Sequence, residues 1–297
     1  MIRPIYDDFL APFQSHGVWD DLVRGYLRPN QAFLHAYVAF LSAGDMDWDR
    51  CLHDYHRQWW ADPEAVRRLL TRLDGVDVDG LAQRGYDTAA RLLEMRRDIP
   101  VYLFVGLTMS DSFQVMVADQ PAVGMALEAY GWTFGATHVG FEDLPHMLAH
   151  ELCHAVRAQE ADTALTRAYR AEGYDQARAF AHLPLYELLV EEGLAESTGR
   201  AGSPDLPLER IPLYDPDDLR WCVAHEADLW DELRGVWDRP LGRDLFRRYF
   251  TVSTENTGFP PRTGYYLGFT LVQRYLSAHP AVSLAQAVRM PADTFIS

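Results

Sequence analysis

The spacing of apolar and polar residues divides the chain into two helical stretches around a short run of strands. Residues 1 to about 98 read as helical. Within them, Gln31 to Leu41 is an apolar, aromatic segment at mixed helical spacing. Pro63 to Leu73 predicts a helix with Asp62 as N-cap and Pro63 at its first position. Leu81 to Met95 continues the pattern, and the segment ending in Ile99-Pro100 closes it. The period then changes. Val101 to Val105 is β-branched and aromatic and predicts a buried strand, Ser112 to Val117 a second, and Val123 to Ala129 a third.

Helical spacing returns at Glu142 to Arg157, with Asp143 as predicted N-cap and Pro145 in the first turn. Leu144, Met147, Leu148, Leu152 and Val156 supply its apolar positions. Leu185 to Ser197 predicts another strong helix after Pro184. Residues 199–216, rich in Gly and Pro, read as a loop, and Asp217 to Trp237 as helical. Residues 254–263 form a further loop before an amphipathic helix from Gly264 to Ala278. Helices, then a small grouped sheet, then mostly helices define an α+β, mostly helical chain. Two regions follow, a helical one over 1–98 and a second domain over 99–297, or one continuous domain.

The helical spacing matters most at His150-Glu151-Leu152-Cys153-His154. Residues four apart share a helix face, so His150 and His154 project together and can hold one Zn²⁺. Glu151 stands beside them, placed to take a proton from a metal-activated water without being a ligand. Cys153 points off that face and is expected to be a buried, inert thiol. His146 lies one turn earlier and reads as a helix-face histidine, or as an alternative ligand lining the cleft. A catalytic zinc needs a third protein ligand. The candidates lie in Tyr186 to Glu196. Glu192 and Glu196 are four apart: Glu192 can bind the metal while Glu196 accepts the free N–H of a ligand histidine. Glu191 remains a rival ligand.

His-Glu-x-x-His followed by a helix carrying Glu192-Gly193-Leu194-Ala195 resembles the gluzincin clan of metallopeptidases. More closely, the chain resembles an uncharacterised bacterial family of predicted zinc-dependent proteases, which adds a later Gly-Tyr-x-x-Gly segment, here Gly264-Tyr265-Tyr266-Leu267-Gly268. The resemblance spans roughly residues 100–280. It implies a zincin-like fold with a small sheet beside the motif helix, Glu192 as third ligand, Glu196 orienting a histidine, and Tyr265 rather than Tyr266 steadying the oxyanion. It also implies a peptide or protein substrate.

Composition narrows the alternatives. The net charge of −16 disfavours nucleic-acid binding. All 27 basic residues are Arg. Three scattered cysteines, no apolar leader and no membrane-length apolar run predict a cytoplasmic protein. Nothing resembles a phosphate loop or a serine-hydrolase elbow. His225-Glu226 begins a second His-Glu pair, but Leu229 stands where another histidine is required, leaving His225 as a possible oxyanion helper. His53 and His56, near Trp59-Trp60, read as packing, and Arg262 as a surface residue. The rival reading is a catalytically silent zinc-binding regulatory or interaction protein.

Overall fold

The computed structural model describes all residues except 42–47, 108–110, 135–136, 173–175, 211–214, 252–257 and 297. The chain is α+β and mostly helical. Its main sheet has the order β1-β2-β4-β3, where β1 is Ile2–Pro4, β2 Val101–Phe104, β3 Ser112–Val117 and β4 Gln120–Ala126. β1, β2 and β4 run parallel, and β3 is antiparallel to β4.

The strands arise where the sequence turns β-branched and aromatic. β2 is central and buried along its whole length, which is why it reads as an unbroken apolar run rather than an alternating one. β3 and β4 form a hairpin through Ala118 and Asp119, both at positive φ (49° and 63°), the backbone a two-residue turn needs to match strand twist. Asp tolerates that region better than Ala does. β4 ends at Ala126, and the predicted third strand continues only as a 3₁₀ turn, Leu127–Ala129. β1 is a correction to an all-helical N-terminal region: Ile2 pairs with Val101, and three residues are too few to display a period.

Alternation along the strands builds two layers. Val101, Leu103, Val123 and Met125 face a core shared with the motif helix, Leu144–Glu160. Tyr102, Phe104, Phe113 and Val115 face the N-terminal helices. There Phe33 stacks on Tyr102 at 4.0 Å and Tyr37 on Phe113 at 4.8 Å, so those helices and the sheet share one core. A third core gathers the helices of residues 164–267 around one side of helix Leu185–Gly202. The helical reading of Asp217 to Trp237 is split in two, Pro216–Ala224 and Glu226–Arg234, at His225. Of the two predicted loops, 211–214 and 252–257 lie outside the described residues. No helix among the described residues is long and apolar enough to cross a membrane.

Candidate metal centre

Two helices carry the clustered groups, the motif helix Leu144–Glu160 and helix Leu185–Gly202. The motif helix begins after a 3₁₀ turn, Phe141–Asp143, with Pro145 in its first turn. Asp143 occupies the N-cap position, yet its carboxylate does not cap this helix. It is fully buried and accepts instead from the Gly140 amide (2.8 Å) and from Arg210 Nε (3.1 Å). Leu148, Leu152 and Val156 are buried in the sheet-facing core. Each contributes roughly 1.5–3 kcal/mol of apolar burial and fixes the helix's rotation. The polar face is thereby turned toward helix Leu185–Gly202.

On that face His150 Nε2 and His154 Nε2 lie 3.1 Å apart. Glu192 Oε2 is 3.4 Å from each. Among the described residues this is the one group of three His, Cys, Asp or Glu side chains whose ligand atoms gather closely enough to hold an ion. The other imidazole nitrogens are engaged by different carboxylates. His150 Nδ1 is 3.4 Å from Glu196 Oε1, and His154 Nδ1 bonds Glu191 Oε1 at 2.9 Å. Glu191 is therefore turned away from the point where the two Nε2 atoms and Glu192 meet. Its other oxygen accepts from Arg157 Nε at 2.5 Å.

The donor set fits a divalent metal of zinc's kind: two imidazole nitrogens and one carboxylate oxygen. Glu192 Oε2 is buried and has no hydrogen-bond partner among the described residues, a costly arrangement that a cation between it and the imidazoles would relieve.

Electrostatics agree with this geometry. Burial opposes charge on His150, but Glu196 and Glu192 outweigh it and hold its pKa up to about 10. His154 is likewise raised well above an ordinary histidine: burial opposes its charge, and Glu192 and Glu191 overcome it. Glu192 is pulled well below the carboxylate range, where His154 and His150 overcome the effect of burial. Metal ligation must displace the histidine protons. The affinity of this cluster for a divalent metal should therefore climb as pH rises toward 10, with protons released on binding. Calorimetry in buffers of different ionisation enthalpy measures that release, and an affinity flat from pH 6 to 9 would contradict it. In the metal-free protein the raised pKa of His150 contributes stability that is complete below about 6.5 and lost as pH rises through about 10.

Glu151 is buried, and its carboxylate accepts from Ser112 Oγ at 2.9 Å, at the start of β3. Burial raises its pKa, against the charges of His150 and His154 and the Ser112 bond. Tyr265 is pushed far above an ordinary phenol, by burial first and then by Glu192, with smaller effects of Glu196 and Glu151. Arg262 lies over its ring at 4.7 Å. Tyr266 instead donates to Glu226 Oε2 at 2.6 Å.

His146 is buried beside the site, its pKa lowered to about 4 by burial. Cys153 is fully buried, and burial raises its thiol pKa to about 11. His225 stacks on Trp221 at 4.1 Å, and His56 is buried against Phe9 and Tyr26. The sequence reading missed Ser112, Arg157 and the position of Glu191 against His154. A signal for the last two existed: Arg157 follows His154 by three residues, and Glu187 and Glu191 are four apart, so each pair shares a helix face.

Fold and site together define a mostly helical α+β protein with a partly buried two-histidine, one-glutamate cluster compatible with metal binding. The chain belongs to the family described as "Predicted Zn-dependent protease (DUF2268)", whose model matches residues 78–297. No curated protein and no solved structure matches it.

Proposed function

We propose that the protein is a zinc-dependent peptidase. The observation that carries this reading is the convergence of His150 Nε2, His154 Nε2 and Glu192 Oε2, with buried Glu151 next along the same helix. Zinc, when bound, polarises a carbonyl and acidifies water. His150, His154 and Glu192 are its ligands. Glu196 and Glu191 hold the two imidazoles by their Nδ1 atoms, which leaves both Nε2 atoms for the metal. Glu151, steadied by Ser112, takes a proton from the attacking water and returns it to the leaving amine. Tyr265 donates a hydrogen bond from its hydroxyl to the oxyanion that develops on the scissile carbonyl. The substrate is a peptide or protein and the compartment the cytoplasm. The three cysteines, none in a disulfide, support that compartment.

Metal analysis of the purified protein alongside cleavage of a peptide library tests the proposal. One zinc equivalent is expected, lost in His154→Ala, together with cleavage that chelators abolish. Stoichiometric zinc without cleavage of any peptide favours the regulatory or interaction reading. Zinc retained by His154→Ala places the metal elsewhere.

A further inference from the structure

Arg157 is fully buried, and nothing in the chemistry above uses it. Its Nε donates to Glu191 Oε2 at 2.5 Å, and its Nη1 donates to the carbonyls of Val288 (2.6 Å) and Met290 (2.9 Å). Glu191 is the residue that holds His154. An unbroken line of contacts therefore runs from a peptide segment over 130 residues away, through one guanidinium and one carboxylate, to a metal-site imidazole.

That segment is docked independently. Ala287, Val288, Ala292 and Phe295 are buried in the core of the motif helix. Arg289 fastens it from outside, donating to Glu160 Oε2 at 2.9 Å and to the Leu93 carbonyl at 2.9 Å. Glu160 is the last residue of the motif helix. A buried guanidinium is costly unless its partners stay in place. If residues 284–296 lift away, Arg157 loses two acceptors at once, and Glu191 loses the group that fixes its orientation.

We infer that Arg157 is a positioning residue that couples docking of residues 284–296 to the metal centre, so that this segment sets zinc affinity. The inference rests on the zinc reading above and names a control element for that same site. A planar fork suits the role, because it can address a carboxylate and two carbonyls together, which an ammonium on a flexible stem does poorly.

The test uses the full chain, zinc as the probe, competition with a chromophoric chelator, and amide hydrogen exchange. Arg157→Lys is expected to weaken zinc binding roughly 10-fold, the scale on which groups supporting metal ligands act. Arg289→Ala reaches the network from its outer side and leaves Arg157 and Glu191 in place. It is expected to weaken zinc binding by roughly 5-fold, but to add little in the Arg157→Lys background. Coupling is reciprocal, so zinc should slow exchange across residues 284–296 in the parent. If Arg157→Lys fails to fold, Arg289→Ala and the parent's exchange pattern decide. Zinc binding by the parent that neither variant weakens, or that leaves exchange in the segment unchanged, overturns the inference alone. A parent that takes up no zinc overturns the peptidase reading and this inference with it.

Discussion

Glu151→Gln is expected to retain one zinc equivalent and to lose peptide cleavage by roughly 10²–10⁴-fold in kcat, the range that a positioned acid–base group supplies. The proposed ligand atoms, His150 Nε2, His154 Nε2 and Glu192 Oε2, do not include Glu151, so the substitution leaves that cluster untouched. An amide oxygen can still accept from Ser112 Oγ, which now meets the carboxylate at 2.9 Å, so the side chain keeps its place. What disappears is a basic oxygen able to hold a proton between attack and departure of the amine. KM should change little, because the substitution removes proton transfer rather than substrate contact. Cleavage at parental rates would show that Glu151 is not the base.

The second large effect lies in packing. Helix Leu185–Gly202 and helix Thr263–Ala278 cross with their backbones in contact. A Cβ on Gly193 would stand 2.1 Å from the Gly268 carbonyl oxygen, and one on Gly268 would stand 2.1 Å from the Leu189 carbonyl oxygen. Backbone cannot swing aside as a flexible side chain can. Gly193→Ala should therefore force the helices apart and cost roughly 3 kcal/mol or more, at or beyond the upper end of ordinary overpacking. Gly193 directly follows Glu192, so the same displacement moves the proposed third ligand, and zinc affinity should fall with stability. Gly202→Ala in the same helix is the control. Its nearest neighbour is a Thr88 methyl at 3.3 Å, and it should stay within about 1 kcal/mol of the parent. Chemical denaturation of both variants decides the point, and a Gly193→Ala protein as stable as the control would remove the crossing as the reason for this glycine.

That crossing explains why two glycine-bearing motifs occur in one chain. Glu192-Gly193-Leu194-Ala195 and Gly264-Tyr265-Tyr266-Leu267-Gly268 meet at Gly193 and Gly268. The contact brings the Tyr265 end of one helix toward the middle of the other, where Glu192 lies. From sequence the two segments read only as separate elements that a resemblance brought together.

The chain's own sequence determined the parts that depend on one helical period. His150, Glu151 and His154 share a helix, and residues four apart fall on one face whatever surrounds them. The grouped strands and the α+β order were legible for the same local reason, since β-branched runs and helical spacing are short-range signals. Glu191 against Glu192 was not decidable in that way. Neighbours on a helix differ by about 100° in direction, so the ligand is set by how the second helix is rotated against the first. The Gly193–Gly268 contact and the burial of Val190 and Leu194 fix that rotation, aiming Glu192 at the two Nε2 atoms and Glu191 at His154 Nδ1. The pairing of Ile2 with Val101, the hydroxyl of Ser112 on Glu151, and the hold of Arg157 on Val288 likewise came only from the tertiary structure. Each joins residues 39 to 131 positions apart, and no periodicity carries information over such distances.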